Sequence, residues 1–219
     1  MAHEPTHDAE RVWYVGYASN LGVDRFRCYL AGGRPEGGLR TYPGCRDGSD
    51  PAAWFSFEHP GGLVFAGTSG VWGGGMAFFD PDRPGAVACR AYLVTVEQFG
   101  DVVAQEMRHP PGGDFARALA AVVPEVGELH TLGPGRYETV LRLGARDGVP
   151  MLTVTSSDVD AVEHNAPSAA YLRSIATGLR ESHGWDDGRI TDYLVAAARL
   201  DGVWTPARVA AAISNGAAR

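Results

Sequence analysis

Apolar positions along this chain fall first into a short continuous run, then into helical spacing, then into brief β-like segments. Val12, Trp13, Tyr14, Val15 and Tyr17 predict a strand that stops abruptly at Ala18-Ser19-Asn20, because Val, Tyr and Trp favour extended backbone. Val23, Phe26 and Leu30 then share one helical face, with Asp24 in the first turn and Gly32-Gly33 at the end. From Leu39 to Thr95 short apolar runs alternate with Gly and Pro, which predicts strands at Leu39–Tyr42, Ala53–Phe57, Leu63–Ala66, Val71–Phe79 and Val87–Thr95. Gly73-Gly74-Gly75 is poor strand interior and predicts a bulge, a sharp barrel corner or a close approach by ligand or backbone.

Beyond Thr95, an N-cap signal, the spacing of Phe99, Val102, Val103 and Met107 predicts a helix to about Arg108. Asp114–Val123 reads as another helix. Arg136–Leu143 alternates like a half-buried strand, Ala145-Arg146-Asp147-Gly148 is a hairpin signal, and Pro150–Thr155 is the return strand. Ser156–Ala166 is a polar loop. Helices follow from Pro167-Ser168, over Asp186–Leu200 and over Pro206–Ser214. Residues 1–10 read as a frayed polar tail. With no repeat, low-complexity segment or boundary in 219 residues, a single domain is expected.

Composition narrows the chemistry. The formal charge of −7 gives no reason to expect a nucleic-acid partner. Every basic side chain is Arg, which excludes a Schiff-base lysine and a phosphate-loop lysine; this bias looks like GC-rich coding, not an arginine cluster selected for function. Cys28, Cys45 and Cys89 lack CxxC spacing, so reduced, cytoplasmic thiols are expected. No secretory signal and no membrane-spanning run is read, and no membrane partner is expected. His3 and His7 lie in the polar tail, and His59, His109, His130, His164 and His183 show no HxH or HExxH spacing, so no metal site is expected.

Two features carry candidate chemistry. A strand running into Ala18-Ser19-Asn20 and then a helix presents unpaired N–H donors suited to a carboxylate or oxyanion; the plainer alternative is an Asn-containing turn. Glu106 falls near the apolar face of its helix, and its carboxylate is either solvated at the helix edge or held over a pocket.

In order, these pieces resemble the gamma-glutamylcyclotransferase-like superfamily. Tyr14-Val15-Gly16-Tyr17-Ala18-Ser19-Asn20-Leu21 is similar to that family's aromatic strand ending in Tyr-Gly-Ser-Asn-Leu/Met. The Trp72-Gly73-Gly74 strand, the Arg90–Thr95 strand, the helix carrying Gln105-Glu106, Tyr137 opening a hairpin strand, and Pro167-Ser168-Ala169-Ala170-Tyr171 follow as in the family, over roughly residues 12–185. The resemblance implies an α+β fold: a small mixed β-barrel flanked by helices, here with a helical extension over 186–219.

It also implies an enzyme that releases an amine from an L-γ-glutamyl amide as 5-oxoproline forms, without a cofactor. Tyr17, Ala18, Ser19, Asn20 and Leu21 would hold the glutamyl group, Glu106 would be the general acid/base, and Tyr137 and Tyr171 would line the pocket. The partner implied is a small γ-glutamyl substrate, with the oligomeric state left open between monomer and homodimer. A non-catalytic binding protein of the same fold, or a biosynthetic enzyme that removes a γ-glutamyl protecting group, are the alternatives.

The residues suit that reaction. The substrate's α-amine is the nucleophile, so no Ser, Cys or Lys is needed. The protein must fold the chain for attack, move one proton and stabilise an oxyanion. Glu97 and Glu138 are alternative bases, but the first sits at a helix start and the second points away from the Tyr137 face. Two departures from the family stand out: Ala18 replaces a Gly, which requires negative φ or a cheap left-handed conformation, and the 107–136 segment is long and adjoins the expected mouth of the site.

Overall fold

The computed structural model describes residues 10–123, 126–198 and 202–214. The expected tail and its His3 and His7, and the end of the helix expected to reach Leu200, therefore lie partly or wholly outside the described residues. Strands are β1 (Arg11–Tyr17), β2 (Ala53–Pro60), β3 (Gly62–Ala66), β4 (Met76–Asp80), β5 (Ala86–Thr95), β6 (Leu129–Thr131), β7 (Thr139–Arg146) and β8 (Val149–Thr155). Helices are α1 (Val23–Leu30), α2 (Val96–Glu106), α3 (Asp114–Val122), α4 (Ala169–His183), α5 (Asp187–Ala198) and α6 (Pro206–Ser214). A 3-10 turn, Ala18–Leu21, joins β1 to α1.

Six strands form one mixed sheet in the order β2-β5-β1-β8-β7-β6, and β3-β4 form a separate hairpin. β1 pairs antiparallel with β5 and parallel with β8, so it lies inside the sheet. It is covered on both faces, which is why its apolar run is continuous. Trp13, Val15 and Tyr17 enter a core shared with the β3-β4 hairpin and helices α4–α6, whereas Val12 and Tyr14 enter one shared with α1, α2 and α3. The end of β1 is thus delivered between two packed layers.

The architecture is α+β, but among the described residues no ladder joins edge strands β2 and β6. The closed barrel expected from the resemblance is here an open sheet with a hairpin packed over one face. Leu39–Tyr42 is not a strand: Tyr42 makes only an isolated bridge to Gly33, and Leu39 is 72 % exposed. The strand expected over Val71–Phe79 begins only at Met76, because Gly73 and Gly74 adopt φ of +69° and +62°. A Cβ on Gly74 would stand 2.4 Å from Ala166 O and one on Gly75 2.0 Å from Asn165 O, so the glycine run permits close approach of backbone to backbone. β6 was not expected; three residues are too short to show alternation.

Other local signals do form as read. Thr95 and Gln98 make a reciprocal capping box at the start of α2. Asp147 and Gly148 turn the β7-β8 hairpin with φ of +53° and +78°, the sign pattern of a tight two-residue turn. Ser168 Oγ caps α4 by accepting from Tyr171 N at 3.1 Å. Among the described residues, no helix is long and apolar enough to cross a membrane, and no group of three or more His, Cys, Asp or Glu side chains is placed to hold a metal ion.

Candidate active site

The turn after β1 forms because Gly16 lets the chain fold back closely: a Cβ there would stand 2.9 Å from Asn20 Cβ. Ala18 is left-handed, with φ of +54°, a conformation costing an L-residue about 1–2 kcal/mol. Of the two conformations that replacement of Gly allowed, the chain uses the strained one. The first N–H groups of such a turn have no acceptor within it. From outside, Arg90 Nη1 donates to Leu21 O at 3.0 Å and Tyr92 Oη donates to Asn20 O at 2.9 Å, tying the turn to β5. Arg90 is itself fully buried and paired with Glu181 at 2.6 Å. A Cβ on Gly178 would stand 2.7 Å from Leu21 Cβ, so α4 also presses directly on the turn.

Beside this turn lies a cavity of about 60 Å³, room for a few waters or a small polar group rather than a large apolar ligand. Tyr17, Ala18, Ser19, Asn20, Glu106, Tyr137 and Tyr171 all line it. Leu21 does not. Its side chain is fully buried in the core under α4, so its carbonyl, not its side chain, is what the turn uses.

Glu106 ends α2 and is half-buried. Tyr29 Oη donates to its Oε1, and Asn20 Nδ2 approaches the same oxygen at 3.4 Å while donating to Tyr14 Oη at 2.8 Å. Glu106 Oε2 has no hydrogen-bond partner among the described residues. Arg25 Nη2 donates to Tyr29 Oη at 2.8 Å and to Tyr42 Oη at 2.9 Å, and its guanidinium lies 4.3 Å from the Tyr29 ring centre. Arg25 is 8 % exposed. Its Nε and Nη1, with Asn20 Oδ1 and Gln105 Oε1, are buried without a partner among the described residues. Unpaired buried polar atoms are costly, and all four belong to side chains that line this cavity.

The phenols around the carboxylate are held in their neutral form. Burial first, then the Glu106 carboxylate, raises Tyr29 well above the usual phenol value, against the pull of Arg25. Burial likewise raises Tyr14, Tyr137 and Tyr171. Kept neutral, these phenols are poor bases; Tyr29 donates to Glu106, whereas Tyr14 accepts from Asn20 Nδ2. Tyr17 Oη donates to Val154 O at 2.8 Å and Tyr137 Oη to Ala77 O at 3.1 Å. Tyr171 stacks on Trp72 with ring centres 5.4 Å apart.

The alternative carboxylates are engaged elsewhere. Glu97 lies in the first turn of α2, and Glu138 accepts from Ser156 Oγ at 3.1 Å. Sequence reading missed Arg25, Tyr29, Tyr14 and Tyr42. The Arg25/Tyr29 pair did leave a signal: spacing of four on α1 puts both beside the apolar stripe of Phe26 and Leu30.

No family model matches the chain. It is 33 % identical over 188 residues to histone deacetylase 5 of Arabidopsis thaliana, a match covering 78 % of this chain and 28 % of that protein. The chain thus spans under a third of that relative's length. Solved structures similar to it include two for which 80 % of this chain and 81 % of the other are covered. One is a gamma-glutamyl cyclotransferase, 16 % identical with a TM-score of 0.47. The other is the uncharacterized protein loc79017 from Homo sapiens, 15 % identical with a TM-score of 0.45.

Proposed function

We propose that the chain is a member of the gamma-glutamylcyclotransferase-like superfamily and releases an amine from an L-γ-glutamyl amide, forming 5-oxoproline. The observation that carries this reading is the meeting of Glu106 with the Ala18–Asn20 turn in one cavity, 86 residues apart along the chain at the Asn20–Glu106 contact.

In this reading each task of the reaction falls to a group that lines the cavity. Arg25, with unpartnered buried nitrogens, holds the α-carboxylate through charge-assisted hydrogen bonds. That contact folds the glutamyl chain so that its α-amine meets the γ-carbonyl. Glu106 takes a proton from the α-ammonium, and the amine attacks the γ-carbon. N–H groups of the turn stabilise the tetrahedral oxyanion. As the new C–N bond closes the ring, the old one breaks and Glu106 gives its proton to the departing nitrogen. Glu106 then takes the second proton from the ring nitrogen, and that proton leaves with the amine as its ammonium, a role on the order of 10²–10⁴-fold in rate. Tyr29 and Asn20 both address Oε1, so Oε2 is the oxygen left for the moving proton.

The deacetylase activity in the Arabidopsis relative's name is not carried over, since the match covers 28 % of that protein. Incubating purified protein with a panel of γ-glutamyl amides and assaying 5-oxoproline tests the reading. Product from at least one amide supports it; ligand binding with no product from any would instead favour a binding protein of the same fold.

A further inference from the structure

The cavity's charge is far from that of the chain. In a protein of formal charge −7, the described residues lining it include Arg25, Arg40, Arg108 and Arg136 against one acid, Glu106. Elsewhere Arg27, Arg46, Arg83, Arg90, Arg180 and Arg189 pair with carboxylates. Arg11, Arg34, Arg142, Arg173 and Arg208, outside the cavity, do not among the described residues. What sets the cavity apart is the gathering of several arginines at one place. Arg40, Arg108 and Arg136 pair with none among the described residues.

Exposure separates these four by depth. Arg25 is buried beside Tyr29, whereas Arg40 and Arg136 are half-buried and Arg108 is exposed. The last three form a rim. Arg136 Nη1 lies 3.4 Å from Met76 Sδ on β4, and the Arg108 guanidinium lies over Gly70, where a Cβ would meet its Nη2 at 2.5 Å. Burial first, then the nearby Arg108 and Arg40, presses Arg136 below the usual arginine value. Three like charges therefore share one cavity with a single carboxylate, Glu106.

The backbone adds a separate sign. Arg108 follows the C-terminus of α2 with φ of +65°, and the bonds Arg108 N to Gln105 O (3.2 Å) and His109 N to Ala104 O (2.7 Å) close the helix end. Glycine is the usual residue at such a position. An arginine held there keeps a strained conformation beside the candidate site. Arg108 and Arg136 stand at the two ends of the 107–136 segment, which thus delivers charge to the mouth of the cavity.

We propose that Arg40, Arg108 and Arg136 form an anion subsite for the departing group, and that the preferred γ-glutamyl amides release an amine carrying two negative charges, such as an amino dicarboxylate. This rests on the cyclotransferase reading: Arg25 takes the α-carboxylate of the glutamyl moiety, Glu106 faces the scissile amide, and the rim meets what lies beyond it.

The test is a charge series of γ-glutamyl methylamide, γ-glutamyl-alanine and γ-glutamyl-glutamate, whose leaving amines carry no, one and two carboxylates. Affinity is read from Trp fluorescence and turnover from 5-oxoproline, at about 0.02 M and about 0.5 M salt. The subsite requires γ-glutamyl-glutamate to bind about tenfold or more tighter than the methylamide at low salt, with the gap narrowing at high salt. Arg108→Gln and Arg136→Gln should each shrink that ratio; should either fail to fold, the salt dependence of the wild-type protein decides. Equal affinities across the series would overturn the subsite even if 5-oxoproline forms. A charge-ranked affinity with no 5-oxoproline from any member would keep the subsite and remove the cyclotransferase reading.

Discussion

Tyr29 on α1 donates its phenolic hydrogen bond to Glu106 Oε1 at the end of α2, 77 residues away, while Arg25 donates to the same phenol. A buried cation and a half-buried carboxylate are thus bridged by a neutral hydroxyl. That bridge fixes one carboxylate oxygen and leaves the other without a hydrogen-bond partner among the described residues.

Removing the bridge tests it. Tyr29→Phe should cost about 1–2 kcal/mol of stability and lower kcat about tenfold, with a smaller change in KM. Tyr42→Phe is the control, since the Tyr42 hydroxyl meets Arg25 at 2.9 Å and Tyr29 at 3.4 Å but not Glu106. Steady-state kinetics on both variants should show the larger kcat loss in Tyr29→Phe. Equal losses would mean that the phenol acts through Arg25 alone.

Ala18 makes a prediction about backbone strain. Its left-handed φ costs about 1–2 kcal/mol, which Ala18→Gly would relieve. That change would forfeit about 1 kcal/mol from the buried methyl and about 0.4–1 kcal/mol through the freer unfolded chain. Chemical denaturation should therefore find Ala18→Gly within about 1 kcal/mol of wild type. Ala18→Val, branched at Cβ and placed at positive φ, should cost more than about 2 kcal/mol. A valine variant as stable as wild type would show that residue 18 is not left-handed.

Acid stability follows from His183, at the end of α4. Burial first, with help from Arg189 and Arg90, lowers its value below the ordinary 6.5. The unfolded chain therefore takes up this proton at higher pH than the folded one. The stability involved is fully present above about pH 6.5 and is lost as pH falls through the lower folded value. Melting temperatures between pH 7 and pH 5 should fall less steeply in His183→Gln than in wild type. Identical slopes would remove His183 from the acid response.

What was legible in the sequence was mainly local. The β1 run, the Thr95 cap, the Asp147-Gly148 turn and the helical stripes each depend on neighbours along the chain, and each formed. Glu106 could be singled out because its position on a helical face is a matter of spacing. Leu21 was misplaced because a turn residue's direction is set by what presses on it, here α4 through Gly178. The strand expected over Val71–Phe79 was shortened by tertiary contact at Gly74 and Gly75, which no pattern of apolar positions records. The rim arginines stand in loops or at element ends of unrelated segments; only the packing of α2, β4 and the approach to β7 brings them together. Uniform use of Arg for every basic position also concealed them.

Glu106→Gln gives the most direct measurement. It keeps the side chain's shape and its acceptor oxygen but removes the group that carries the proton. With the wild-type protein's best γ-glutamyl amide, 5-oxoproline formation should fall by about 10²-fold or more, while the melting temperature and the affinity for that amide stay close to wild type. Near-normal turnover in Glu106→Gln would contradict the assignment of Glu106 as the acid/base, and with it the mechanism.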